Sequence, residues 1–213
     1  MQPHLHVKKW HSPSMVAAYQ DGRLPKTIGE AMHRNKVFFE IAFVHVGNSI
    51  RIYDIAAMKM VRRGGQWFTE TFHGRANVRH FPNRFEKQTG IPLETFADLP
   101  NERALLADFR LFIRDAAVLC TYYKEHFRLL RYRLHKLGME PYIGQIFTLQ
   151  PLIHFLFPPL SGLSRKAICH ALEIPCPQQA QTTDLTQESL HLYNHVLCFS
   201  STWNQPIHSF EPS

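Results

Sequence analysis

The feature that most constrains the fold is the run at residues 37–46 (VFFEIAFVHV), built almost wholly of β-branched and aromatic side chains. Such side chains suit a pleated surface and lose χ1 freedom in a helix, so the run reads as a strand that is apolar on both faces. Gly47-Asn48-Ser49 then supplies turn chemistry, and a second apolar run follows at 50–61 (IRIYDIAAMKMV). Glycine accepts positive φ, so Arg62-Arg63-Gly64-Gly65 predicts a tight hairpin into a third strand at 66–73 (QWFTETFH). The chain therefore begins its folded part as three successive antiparallel strands.

After these the pattern changes. Residues 74–100 carry prolines at 82, 92 and 100 and little sustained periodicity, which reads as a connection with one short helix near 84–88. From Asn101, a residue suited to capping, the apolar positions Leu105, Leu106, Phe109, Phe112 and Ile113 recur at helical spacing, giving a helix that ends near Asp115. Residues 116–123 (AAVLCTYY) read as a short buried strand, and Phe127, Leu130, Leu134 and Leu137 mark a helix stopped at Gly138. A strand or short helix at 146–157, a helix at 163–173 and a final amphipathic helix at 184–199 complete the series.

This order implies an α/β domain, with a mixed sheet of three antiparallel and then parallel strands flanked by helices. Residues 1–35 carry Pro3, Pro13, Gly22, Pro25 and Gly29 and read as an N-terminal extension. The domain is expected over 36–199, with 200–213 as a C-terminal tail. A length of 213 residues and a 45% hydrophobic content suffice for a substantial core.

Charge narrows the class of partner. Lys and Arg number 24 against 17 acidic residues, a net +7, which attracts polyanions such as nucleic acid. The apolar stretch at 149–160 is interrupted by His154 and ended by Pro158 and Pro159, short of the roughly 18–20 residues a bilayer span needs. Cys120, Cys169, Cys176 and Cys198 form no CxxC pair, and no charged start leads into an apolar signal segment, so a cytoplasmic location is the default expectation. Cys169, His170 and Cys176 lack the paired short spacings of a zinc site, and with Ile168, Ala171 and Leu172 making the surroundings apolar the cysteines are better read as buried thiols. The GxSxG, GxGxxG and GxxxxGK[ST] patterns are absent.

Three ordered stretches carry a resemblance. The first is Tyr53 to Met60 (YDIAAMKM) with the strand after it and Thr89-Gly90-Ile91; the second is 109–138 (FRLFIRDAAVLCTYYKEHFRLLRYRLHKLG). The third, within 149–196, contains LFPPLSGLSRKAICHALEIP followed by Asp184 in a final helix. Together they resemble the DnaQ-like, or DEDDh, 3′-5′ exonuclease family, which includes the proofreading subunit of bacterial replicases and ribonuclease T. The resemblance covers roughly residues 37–197 and implies a ribonuclease H-like sheet.

It also implies a chemistry against which each position can be read. Two divalent cations are held by four carboxylates to stabilise the attacking and leaving oxygens of phosphodiester hydrolysis, while a histidine activates water. Here the DxE motif falls on Glu40 and Ala42, HNxxFD becomes Thr121-Tyr122-Tyr123-Lys124-Glu125-His126, and HxxxxD becomes Gln179 followed by Asp184. Glu40 and Asp184 are thus the vestigial catalytic candidates, and the only metal-ligand candidates if a metal binds. Ala42 and His126 replace carboxylates, and Gln179 replaces the general base. Read structurally, Glu40 is an outward-facing strand residue, His126 an ordinary partly exposed side chain, Asp54 a satisfied strand carboxylate, and Asp184 a helix cap.

The expectation is therefore an exonuclease-like domain that is inactive or strongly impaired and binds nucleic acid, DNA or RNA, or a nucleic-acid-processing protein. Candidate contacts are Arg62 and Arg63 on the hairpin, Lys124, Arg128, Arg131 and Arg133 on the following helix, and Tyr122 and Tyr123 for base stacking. No cofactor is expected. Mg²⁺ or Mn²⁺ would serve the alternative, an active exonuclease with a divergent site using Glu40, Asp184 and Glu125 or Glu188. A protein-interaction module is the third reading, with a homodimer as one form of it.

Overall fold

The computed structural model describes residues 34–176 and 181–203. It contains β1 (Lys36–Val46), β2 (Ser49–Arg63) and β3 (Gln66–Arg75), then α1 (Phe85–Thr89), a 3₁₀ turn (Leu93–Phe96) and α2 (Glu102–Ile113). β4 (Val118–Thr121), α3 (Lys124–Lys136), β5 (Gln145–Thr148), α4 (Leu149–Leu156), a second 3₁₀ turn (Pro158–Leu160), α5 (Arg165–Ala171) and α6 (Thr182–Trp203) follow. The five strands form one sheet in the order β3-β2-β1-β4-β5. β1–β2 and β2–β3 are antiparallel, whereas β1–β4 and β4–β5 are parallel.

The hairpin between β2 and β3 forms as the glycines require: Gly64 and Gly65 have φ of 57° and 86°, and Arg63 pairs with Gln66 across them. A two-residue loop with positive φ at both positions matches the twist of the flanking strands. The segment at 146–157, open in the sequence between strand and helix, is both: β5 ends at Thr148 and α4 starts at Leu149. The last helix runs through Trp203, past the expected boundary at 199. No helix among the described residues is long and apolar enough to cross a membrane.

The pleat of β1 sorts the core. Val37, Phe39 and Ile41 face a cluster with α2 and α3 residues, including Leu105, Leu106, Phe109, Leu130 and Leu134. Phe38 faces the opposite cluster, with Leu149, Ile153, Ile168, Leu192 and Tyr193 from α4, α5 and α6. Each fully buried side chain of this size contributes on the order of 1.5–3 kcal/mol, so the two layers anchor the sheet from both sides. The alternation places Glu40 on the α4–α6 side with Phe38.

A register shift between Ala42 and Phe43 sets Tyr53 of β2 outside the regular pairing. Tyr53 leaves the two main layers and packs edge-on against Phe81, Phe85 and Phe96 in a third cluster. The bulge bends the sheet beside Ala42 and fixes the α1 connection against it. Gly74 of β3 permits close approach on the other face, since a Cβ there would lie 2.5 Å from Leu105 Cδ1 of α2.

Candidate functional site

Glu40 stands at the centre of the sheet and is fully buried, 0% exposed. The outward-facing reading of this residue is thereby overturned, because its neighbours on the pleat point it under α6. Its Oε1 accepts hydrogen bonds from the Tyr122 backbone N–H at 3.1 Å, from Arg165 Nη1 at 3.1 Å and from Ser189 Oγ at 2.5 Å. His126 Nδ1 lies 2.7 Å from Oε2.

Arg165 is the hub of this arrangement. Ser164 caps α5 through the Ala167 N–H and starts the helix so that Arg165 shares a buried face with Ile168 and Cys169. Its Nε donates to Glu188 Oε2 at 3.0 Å, and its Nη2 donates to Ser189 Oγ at 3.1 Å and to the Leu185 carbonyl. The guanidinium carbon also sits 4.7 Å from the centre of the Tyr122 ring. Arg165 is only 7% exposed, so a planar cation spans two buried carboxylates and a hydroxyl in a site shielded from water.

The electrostatics follow. Burial by itself would raise the Glu40 carboxyl, but the His126 contact, the Arg165 charge and the Ser189 hydroxyl outweigh it and hold the group below its ordinary value of 4.5. Burial and the neighbouring Tyr123 raise the Tyr122 phenol, which stays protonated at neutral pH. Cys169, in the same layer, has its thiol pushed up to about 12 by burial and then by Glu188, which makes it an inert core residue.

α6 begins at Thr182, so Asp184 lies in its first turn rather than at the expected cap position. Its Oδ2 accepts the Gln181 backbone N–H at 2.8 Å, the reciprocal half of a capping box at the start of the helix. Asp184→Ala is expected to cost about 1 kcal/mol in urea denaturation, the usual scale for a lost cap. Gln179 lies outside the described residues.

The residues present do not fit a pair of divalent cations. Mg²⁺ and Mn²⁺ take several oxygen donors at once, yet Glu40 Oε1 accepts three donors and its Oε2 faces His126. The Ala42 side chain offers no ligand atom, and His126, at the position where the resemblance implies a carboxylate ligand, is a poor ligand for hard cations. Among the described residues no group of three or more His, Cys, Asp or Glu is placed to hold a metal ion.

Next to Ala42 the surface opens into a cleft of about 530 Å³, bordered by Asp54, Arg75, Lys87, Thr89-Gly90-Ile91 and Gln181. Asp54 is 2% exposed and bridges Arg75 Nε at 2.8 Å and His73 Nε2 at 3.2 Å, so it is the satisfied strand carboxylate expected. Arg75 reaches on to Gln181 Oε1 at 3.3 Å and links the cleft wall to α6.

The proposed nucleic-acid contacts divide. Arg62, Arg63, Lys124, Arg128 and Arg131 are exposed, although Arg63 pairs with Glu70 at 2.6 Å, and Tyr123 is half-buried. Tyr122 and Arg133 must be withdrawn. Tyr122 is 1% exposed and its ring lies in the core, closed to a stacking base. Arg133 is 4% exposed and makes two bonds to Glu102, 2.7 Å from Nε and 2.6 Å from Nη2, which turns it inward. Of the alternative ligands, Glu125 is exposed and Glu188 is bound to Arg165.

Arg165 and Ser189 are members of the buried network around Glu40 that sequence reasoning missed. A signal was available: Arg165 shares the i, i+3, i+4 stripe of Ile168 and Cys169, and Glu188 and Ser189 share that of Leu185 and Leu192. Charges within an otherwise apolar stripe point to partners across the core.

Comparisons agree with the topology. No protein-family model and no curated protein matches the chain. Among solved structures, Exonuclease X in complex with 5′ overhanging duplex DNA matches at 12% identity and a TM-score of 0.55, over 78% of this chain and 93% of that one. A structure of the yeast NOT1 MIF4G domain co-crystallized with CAF1 matches at 12% identity and a TM-score of 0.54, over 88% and 87%. With its mixed five-stranded sheet flanked by helices, the chain has an exonuclease-like, ribonuclease H-like α/β fold.

Proposed function

We propose that residues 36–199 are a non-hydrolytic exonuclease-fold domain that binds nucleic acid. The observation that carries the reading is the Arg165 guanidinium bound to Glu40 and Glu188, which supplies positive charge within the protein where the resemblance implies cations. A carboxylate neutralised in this way supports the fold and is withdrawn from metal binding and hydrolysis.

Several features support a nucleic-acid ligand. The cleft beside Ala42 presents Arg75 and Lys87, and Arg62, Lys124, Arg128 and Arg131 leave further exposed cations. The similar Exonuclease X structure is of a complex with DNA, and the net charge of +7 favours a polyanion.

A labelled single-stranded oligonucleotide tests both halves. With Mg²⁺ or Mn²⁺ supplied, no shortening is expected over hours; shortening that Asp184→Asn abolishes would restore the active-exonuclease reading. Binding by fluorescence anisotropy is expected to weaken with salt, with a log–log slope of about −3 for roughly four phosphate contacts on a single strand. Lys87→Glu and the Arg128→Glu, Arg131→Glu pair should each weaken it. Absence of binding at low salt would leave the domain as a protein-interaction module.

A further inference from the structure

A second basic concavity lies away from the cleft. It has a volume of about 450 Å³, and its charged lining comes from Arg51 of β2, Arg79 and His80 after β3, and Glu102 and Arg103 at the start of α2. Three unconnected stretches of sequence meet there because the fold ties them together. Asn77 bridges to Asn101, its backbone N–H donates to the Pro100 carbonyl at 2.8 Å, and Glu102 Oε1 accepts the Ile52 N–H at 2.9 Å.

The charge balance is the unusual part. Glu102 is the one acid of this lining among the described residues, and its carboxylate is already matched by the buried Arg133, which bonds both of its oxygens. Arg51 adds a third, longer contact to Glu102 at 3.3 Å. Once Glu102 and Arg133 cancel, Arg51, Arg79 and Arg103 remain as surplus positive charge around one concavity. Arg79 and Arg103 are exposed and make no ion pair or side-chain hydrogen bond among the described residues. Gathering guanidinium groups around a single acid that Arg133 already matches is unfavourable by Coulomb repulsion, and an anion that accepts from several of them reverses the sign.

The rest of the lining indicates more than a bare ion. Val46 and Leu137, both half-buried, supply apolar surface beside the arginines, while Val78 belongs to the core behind them. Apolar walls with a few convergent polar groups are the usual make-up of a small-ligand site, and the volume lies in the normal range. His80, at a φ of 70°, holds the rim in the left-handed region that side-chain-bearing residues seldom adopt.

We propose that this concavity is a phosphate-binding site, in which Arg51, Arg79 and Arg103 bind the phosphate group of a ligand whose apolar or ring portion rests on Val46 and Leu137. It is separate from the cleft beside Ala42, and the two share no lining residue. The phosphate belongs either to a free nucleotide or to a nucleic-acid backbone, and competition between these sources identifies which.

The test uses the full chain and isothermal titration with inorganic phosphate, adenosine 5′-monophosphate and adenosine at low salt. Saturable binding is expected for the monophosphate and, more weakly, for inorganic phosphate, and none for adenosine. Arg79→Glu with Arg103→Glu should reduce the monophosphate affinity at least tenfold. Both side chains are exposed, so thermal unfolding at the wild-type temperature would establish that the variant is folded. Lys87→Glu, in the other cleft, should leave this binding unchanged, so the two sites can fail independently. Displacement of the monophosphate by a single-stranded oligonucleotide assigns the site to backbone phosphate, and retention assigns it to a free nucleotide. Absence of saturable phosphate binding by the wild type, or equal affinity in the doubly substituted variant, overturns the proposal.

Discussion

Arg165→Met is expected to lower the stability of the domain by about 3–5 kcal/mol, the scale for removing one partner of a buried ion pair. The physical reason is what remains rather than what is lost. Glu40 and Glu188 are 0% and 2% exposed, and without the guanidinium both are buried anions with too few donors. Ser189, the Tyr122 N–H and His126 still face Glu40, but none of them reaches Glu188 or replaces the guanidinium that spanned both carboxylates. Urea denaturation checks the magnitude. Adding Glu40→Gln and Glu188→Gln to Arg165→Met should recover part of the loss, because the carboxylates themselves make the missing guanidinium costly.

The same network sets a pH dependence with a definite sign. Glu40 titrates below its ordinary value of 4.5 in the folded chain, so its contribution is complete above that pH and is lost as pH falls through the folded pKa. Wild-type stability should decline in acid below about pH 4.5, and Glu40→Gln should flatten that part of the curve. The penalty of Arg165→Met should shrink over the same range, since a protonated carboxyl no longer needs the cation. A two-cation site would behave oppositely: there Glu40→Gln would relieve carboxylate repulsion and raise the stability of the metal-free protein.

Arg133→Met is the second large effect, expected at about 3 kcal/mol. Glu102 would keep the Ile52 N–H and the half-exposed Arg51, which moderates the loss relative to Arg165. Oligonucleotide affinity of the cleft beside Ala42 should stay within about twofold of wild type at equal salt, because Arg133 faces the core and lines no part of that cleft. Loss of affinity with unchanged urea stability would reverse its placement as an internal residue. By contrast, Arg128→Glu with Arg131→Glu alters two exposed side chains and should change binding without comparable loss of stability.

These two buried arginines, Arg165 and Arg133, explain why the candidate site was only partly legible in the sequence. In the stripe Leu130, Arg133, Leu134, the arginine holds a core position, as Glu102 does ahead of Leu105, Leu106 and Phe109. Helical spacing reveals the buried face, but it does not say which distant residue answers the charge on it. Glu102 meets Arg133 across 31 residues and Glu40 meets Arg165 across 125, so neither pair leaves a local pattern. Read as a run of basic residues, α3 offers its whole length to a polyanion; folded, it offers Lys124, Arg128 and Arg131 outward and keeps Arg133 inside.

What the sequence determined by itself was the set of elements and their order. β-Branched and aromatic runs, paired glycines and helical stripes are local properties, and they specify the hairpins, the crossovers and the final helix, with Asp184 in its first turn. The resemblance also implied, position by position, that Ala42 and His126 stand where carboxylates would be expected. Tertiary structure alone decided what surrounds Glu40. Only after β1, β4, α3, α5 and α6 pack together does His126 meet one oxygen of Glu40 while Arg165 and Ser189 take the other. Desolvation then makes that match compulsory, because a carboxylate removed from water must be paired, and the pairing turns a strand residue that read as solvent-facing into the charge at the centre of the fold.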